Sequence, residues 1–290
     1  MDKKVSVVIP AYNEEELLPV LLDSLKEQSF PDFEVIVADA HSEDRTAAIA
    51  REKGARVVEG GMPAKGRNAG ASASEGRFIL FLDADVKVPP EFVENVHDEM
   101  ERRFADLATC EIRPISEVGL DKALFSLANS IVRYTAKSEP RAPGFCIFCT
   151  KRLFERVGGF DETITLGEDH DFLKRASNFR PMIWLYDSYM EVSVRRLEKE
   201  GRLGYAVKAL QSDLYRNLVG EIRNNEIEHE FGDFEKDEET RKSTLDKLER
   251  LIIDSEKRLR EMKEDQEGVI AKIGVQMEEL REQLRRLQKR

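Results

Sequence analysis

The chain has 290 residues, 41% hydrophobic and 36% charged, with 46 Lys and Arg against 57 Asp and Glu for a formal charge of −11. That length fits one large or two modest domains, the hydrophobic content excludes disorder throughout, and the acidic balance argues against nucleic acid as a partner. Apolar runs such as Phe78 to Leu82 fall far short of the roughly 20 residues a membrane span requires, and Met1 to Lys4 lead straight into a strand pattern. A cytoplasmic protein is expected.

The first half alternates short apolar runs with amphipathic stretches, which predicts βαβ units and a largely parallel sheet. Val5 to Pro10 reads as a buried strand, and Glu14 to Gln28 carries Leu17, Leu18, Leu21, Leu22 and Leu25 at helical spacing. Phe33 to Asp39 is the second strand. Ser42 is placed to cap a helix that runs through Ala47 to Lys53 and stops at Gly54. Ala55 to Val58, a helix of small residues from Lys65 to Glu75, and the strand Phe78 to Leu82 follow, the last ending on Asp83-Ala84-Asp85.

Beyond Pro89 the pattern predicts helices over Glu91 to Arg103 and Leu120 to Tyr134, with a strand over Leu107 to Ile112 between them. Strands over Gly144 to Thr150 and Met182 to Tyr186 bracket short helices over Lys151 to Val157 and Asp169 to Ala176. Cys110, Cys146 and Cys149 are too few for a disulfide framework and sit in apolar surroundings, so they are expected to be core residues in a reducing compartment. Arg202 to Arg223 reads as an amphipathic helix with basic residues, either packed on the body or resting at an anionic membrane surface. After about Lys236 more than half of the residues are charged, and Leu245, Leu248, Ile252, Leu259, Met262, Val269 and Ile273 share one heptad frame. Residues 236–290 thus read as a helical coiled coil or hairpin, an extension to a body of residues 1–235 and a candidate for homo-oligomer formation.

In open α/β sheets ligands bind beyond the carboxyl ends of the strands, and here those ends are acidic. Pro10-Ala11-Tyr12-Asn13-Glu14 follows the first strand, Asp39-Ala40-His41-Ser42-Glu43-Asp44 the second, and Asp83-Ala84-Asp85 the strand at Phe78. Carboxylates gathered in one cleft repel each other unless a cation compensates them. Magnesium or manganese would do so, bridging Asp83 and Asp85 to substrate phosphates.

In these segments the chain resembles the inverting, metal-dependent family 2 glycosyltransferases of the GT-A fold, which use nucleotide-diphosphate sugars. The matching motifs run in the family's order: Val5 to Glu14; Asp39 with Ser42, Asp44 and Thr46; Lys65-Gly66-Arg67-Asn68-Ala69-Gly70; Phe81 to Asp85; Gly158-Gly159-Phe160-Asp161-Glu162; and Gly167-Glu168-Asp169. The resemblance implies a Rossmann-like sheet flanked by helices, with a nucleotide-binding half over about residues 1–115 and an acceptor half over about 116–200. It implies that Pro10, Ala11, Tyr12, Glu14 and Asp39 hold the nucleoside and that Lys65, Arg67 and Asn68 lie near the nucleotide and diphosphate. Asp83, with Ala84 beside it, would contact ribose or metal, and Asp85 would be the principal metal ligand. Asp169 corresponds to the catalytic base and Glu168 to a residue shaping the acceptor site, while Arg195 and Arg196 fall where some relatives carry a basic motif near the diphosphate. The chain departs from the family's frequent Asp-Asp-Gly-Ser in having Asp39-Ala40-His41-Ser42, which leaves the preferred base open.

Physical chemistry fits these roles. A diphosphate leaving from an oxocarbenium-like state needs cationic stabilisation, which a metal at Asp85 with Lys65 or Arg67 would supply. Asp169, at the start of a helix where the dipole favours negative charge, could take a proton from an acceptor hydroxyl. A lipid phosphate acceptor would need no base. The expected activity is sugar transfer to a carbohydrate hydroxyl or a lipid-linked phosphate; the alternative is a nucleotide-sugar-binding scaffold that acts through its helical tail.

Overall fold

The computed structural model describes residues 4–138 and 140–200. The amphipathic stretch at 202–223 and the heptad-bearing tail at 236–290 lie outside them. The described residues divide into two compact units, one comprising residues 4–113 together with Thr135–Val192, the other containing Pro114–Tyr134 and residues 193–200.

The first unit is built on a sheet. Strand β1 spans Val5–Ala11, β2 Phe33–Asp39, β3 Arg56–Glu59 and β4 Phe78–Phe81. β1 pairs in parallel with β2 and β4, and β2 with β3. Val5, Val7, Val8 and Ile9 of β1 and all of β4 are buried, as strands covered on both faces must be. Ser6 is tolerated inside β1 because its hydroxyl donates to Glu34 at 2.6 Å and accepts from the Gly76 amide at 2.8 Å.

The remaining strands are β5 (Val86–Lys87), β6 (Leu107–Ile115), β7 (Ile147–Thr150) and β8 (Ile183–Ser193). They complete the order β3-β2-β1-β4-β7-β6-β8-β5. β7 runs antiparallel to both β4 and β6, and β5 antiparallel to β8. The sheet is therefore mixed, rather than largely parallel as the βαβ pattern suggested. The regular alternation of strand and helix that licenses parallel pairing ends at β4.

Helices α1 (Leu18–Lys26), α2 (Thr46–Glu52), α3 (Pro63–Ala73) and α4 (Phe92–Arg102) connect the strands, and α5 covers Gly119–Thr135. Then come α6 (Lys151–Val157), α7 (Glu168–Ser177) and α8 (Arg195–Glu200). Three expectations are corrected in detail. The helix after β1 starts at Leu18, with Pro19 in its first turn, and not at Glu14. Ser42 caps no helix: its hydroxyl accepts from the Asn13 amide, and the Asp44 carboxylate takes the Thr46 amide instead. Gly144–Cys146 form a 3-10 turn ahead of β7 instead of part of the strand, a change of direction that Pro143-Gly144 favours. All three cysteines are free and buried.

Small residues let α3 lie against β1. A Cβ on Gly70 would fall 2.3 Å from Val8 Cγ1, and one on Gly66 3.0 Å from Pro10 Cβ. Two glycines four residues apart thus bring the helix onto the carboxyl end of the central strand, and Arg67 and Asn68 come with it.

Candidate active site at the carboxyl edge of the sheet

β1, β2 and β3 end level with one another, Ala11 opposite Asp39 and Asp39 opposite Glu59. Ser42, Asp44 and Thr46 tie the loops that follow β1 and β2 together: Ser42 Oγ accepts from the Asn13 amide at 3.0 Å, Thr46 Oγ1 from Glu14 at 2.8 Å and Asp44 Oδ2 from Glu15 at 3.1 Å. Burial would raise the Asp44 carboxyl, but the hydrogen bonds from Thr46 and Glu15 outweigh it and hold it below the ordinary range. These polar residues of the motif build the rim of the site. Asn13 and His41 accept left-handed backbone, at φ 52° and 60°.

Inside that rim Asp39 uses one carboxylate oxygen locally, Oδ2 accepting from the Ser42 amide at 3.2 Å. Its Oδ1 is buried and has no partner among the described residues. A buried, unsatisfied carboxylate oxygen is costly and asks for a donor from elsewhere. Tyr12, 56% exposed, stands beside it on the neighbouring strand end. Pro10 is half-buried and Ala11 buried.

On the other side of β1, β4 carries the acidic turn. Val8 faces Phe81, so Asp83 leaves β4 about level with the end of β1. Asp39 and Asp83 are then two strand spacings apart, about 10 Å. Asp83 and Asp85 are half-buried, while Ala84 between them is buried and anchors the turn. Among the described residues no three His, Cys, Asp or Glu side chains gather as a metal cluster. Two carboxylates at a turn fit a hard cation that keeps waters and borrows substrate oxygens, and do not fit an all-protein cage.

α3 contributes three residues, in different ways. Lys65 is exposed and folds over Gly61, where a Cβ would meet its Cδ at 2.6 Å. Arg67 is buried: its Nη1 donates to Glu168 Oε1 at 2.7 Å and its Nη2 to Asp83 Oδ1 at 3.1 Å. Asn68 exchanges two hydrogen bonds with the Phe160 backbone, both 2.9 Å, and donates to Glu162 at 2.8 Å. It clamps the Gly158-Gly159-Phe160 loop, both of whose glycines have positive φ. Phe160 stacks on Phe172 with centroids 4.5 Å apart and meets Phe81 edge-on at 5.2 Å, giving the site an apolar floor.

α7 begins at this floor. Glu168, Asp169 and Asp171 occupy its first turn, behind Gly167 with φ 90°. Asp171 pairs with Arg175, which also reaches the Val157 carbonyl and ties α7 to α6. Asp169 Oδ2 accepts from the Gly144 amide at 3.0 Å and Oδ1 from the His170 amide at 2.8 Å. Burial and the neighbouring Asp169 charge push the Glu168 carboxyl above its ordinary range, with Arg67 pulling the other way. For Arg67, burial alone would lower its pKa, but Asp83, Glu168 and Asp169 outweigh it and push it up.

The structure thus brings together Asp39, Arg67, Asp83, Glu168 and Asp169 in one unit. Arg195 and Arg196 are exposed residues that open α8 in the other unit. Sequence reasoning missed Gly144, which fixes Asp169; Pro143-Gly144 was the available signal. Arg67 and Asn68, which the resemblance put near the donor, are engaged here by Glu168 and Asp83 and by Glu162 and the Phe160 backbone.

A family model described as glycosyl transferase family 2 matches residues 6–158, more than half of the chain. The chain belongs to glycosyl transferase family 2. It is similar over 248 residues, at 26% identity and 79% coverage, to the poly(ribitol-phosphate) beta-N-acetylglucosaminyltransferase TarS of Staphylococcus aureus, and spans 42% of that relative's length. A poly(ribitol-phosphate) beta-glucosyltransferase of Bacillus spizizenii is 30% identical over 43% of this chain and 22% of its own. Among solved structures, S. aureus TarS 1-349 superposes with TM-score 0.54 and 26% identity over 70% of this chain and 64% of that one. A mannosyltransferase of Pyrobaculum calidifontis, 21% identical, shares the fold at TM-score 0.54 over 76% of this chain and 71% of its own. This family 2 chain carries a mixed α/β sheet of the GT-A kind.

Proposed function

We propose that the chain transfers a sugar from a uridine-diphosphate donor to an acceptor hydroxyl, with inversion at the anomeric carbon and with Mn2+ or Mg2+ bound. The observation that carries this reading is the buried Asp39 Oδ1, without a partner among the described residues and about two strand spacings from the Asp83-Ala84-Asp85 turn. One acceptor atom suits the single imide N–H of uracil, whereas guanine offers two adjacent donors and Asp39 Oδ2 already holds Ser42. S. aureus TarS 1-349, 28% identical in its complex with UDP-GlcNAc, supports a uridine donor.

In this reading Tyr12 lies against the base, Asp83 faces ribose and cation, Asp85 is the principal metal ligand and Lys65 serves the diphosphate. The cation, when bound, offsets the charge that grows on the departing diphosphate. Asp169, held by two backbone amides, takes the proton of the acceptor hydroxyl as that oxygen bonds to the anomeric carbon. The bond to the diphosphate breaks on the opposite face, and the diphosphate leaves with the electron pair. A base oriented in this way favours a hydroxyl acceptor over a lipid phosphate, which brings no proton to remove.

Thermal unfolding against UDP, GDP, CDP and their sugars, with and without manganese, tests the donor reading. The expected result is a manganese-dependent rise in Tm with UDP that Asp85→Ala abolishes. A rise with GDP alone would refute the uridine assignment, and none with any nucleotide would refute the donor site.

A further inference from the structure

Arg67 sits where a cation could face the diphosphate, yet its surroundings point elsewhere. Its side chain is 5% exposed, and the two terminal nitrogens are engaged by carboxylates from different parts of the chain, Asp83 after β4 and Glu168 at the head of α7. The Phe160 ring lies 5.6 Å from its Cζ. Gly144 presses on the same group so closely that a Cβ there would stand 2.5 Å from Cζ and Nη2 and 2.8 Å from Nη1. Nε is buried as well and has no acceptor among the described residues. A phosphate would have to displace a carboxylate or the Gly144 backbone to reach this guanidinium.

We infer that Arg67 is a positioning residue and not a ligand of the donor diphosphate: it joins Asp83, on the donor side, to the helix turn that carries Asp169. The link is short. Arg67 holds Glu168, the residue before Asp169, and packs against Gly144, whose amide holds Asp169 Oδ2. One cation thereby sets the place of the base against the donor edge of the sheet. The planar fork of arginine can span two carboxylates at once, which the single point charge of lysine cannot.

This inference rests on the donor reading above, and the experiment separates the two. Titration calorimetry with UDP and with UMP, in manganese, is run on the wild type and Arg67→Lys, alongside steady-state turnover with a UDP-sugar. Arg67→Met with Glu168→Gln, which removes the buried pair together, is the second variant should lysine not fold; folding is followed by circular dichroism.

The expected result is that kcat falls about 100-fold, as a displacement of about 1 Å in a catalytic group can cause, while UDP affinity stays within about threefold. A merely structural role would lower the folded fraction and leave kcat per folded molecule near the wild type, which would overturn the inference. So would a tenfold or larger loss of UDP affinity with UMP affinity unchanged, since that marks a diphosphate ligand. Wild-type protein that bound neither nucleotide would overturn the donor reading and this inference with it.

Discussion

Replacing Gly144 by alanine adds one carbon where the structure leaves no space. The backbone of Gly144 is not in the left-handed region, so conformation alone would accept the change. The new Cβ, however, would stand 2.5 Å from Arg67 Cζ, about 1 Å inside ordinary contact. An arginine end normally moves aside cheaply, but this one is buried and held at 2.7 and 3.1 Å by Glu168 and Asp83. Yielding would loosen at least one charge-assisted bond worth about 1.5–3 kcal/mol, and refusing would cost a similar overpacking penalty. The expected loss is about 3 kcal/mol, or roughly 9 °C in Tm at about 3 °C per kcal/mol for a protein of this size. Because the Gly144 amide also holds Asp169, turnover should fall about 100-fold. Gly158→Ala is the control: φ is 82° and nothing lies within 4 Å of its Cβ, so strain of about 1–2 kcal/mol should appear without loss of turnover. Circular dichroism melts and release of UDP from a UDP-sugar measure both. Wild-type stability and turnover in Gly144→Ala would show that Arg67 is not held as described.

Other perturbations are equally specific. Asp169→Asn should lower kcat by about 10²–10⁴ and leave UDP binding intact, read by turnover and calorimetry; an unchanged kcat would remove Asp169 as base. Burial would raise the Asp106 carboxyl, but the Thr150 hydroxyl at 2.8 Å and the Arg152 and Arg180 guanidiniums outweigh it and hold it below the ordinary range. Its stabilisation is therefore present above the unfolded value of about 3.9 and lost as pH falls through the lower folded value. Asp106→Asn should cost about 2 kcal/mol at pH 7 in urea unfolding, and the gap from wild type should close in more acidic solution. Burial pushes the thiols of Cys110 and Cys149 up, and all three cysteines are buried. An aromatic disulfide reagent at pH 8 should find no fast-reacting thiol among them until denaturant is added.

Much of this protein was legible from local pattern. Apolar runs marked β1 and β4, because strands buried on both faces are apolar almost throughout, and the apolar stripe of α1 marked the helix between β1 and β2. The acidic residues that end those strands marked a candidate site, since parallel strands deliver their carboxyl ends to one edge. The burial of the three cysteines was legible from their apolar neighbours.

Tertiary structure decided what contacts distant in sequence decide. Whether β7 entered the sheet parallel or antiparallel depends on pairing with β4 and β6, which no local period encodes. The helix expected from Glu14 begins only at Leu18, and the amides of Glu14 and Glu15 ahead of it bond to Thr46 and Asp44 of the next loop, contacts no local pattern encodes. Arg67 shows the limit most plainly. As a sequence symbol it is a cation in a motif and was assigned to the diphosphate. Only the fold puts Asp83, 16 residues away, and Glu168, 101 residues away, on its two terminal nitrogens and lays Gly144 against it. Periodicity and strand-end chemistry are local properties of a sequence. The partner of a buried charge is fixed by packing, and packing exists only once the chain has closed on itself.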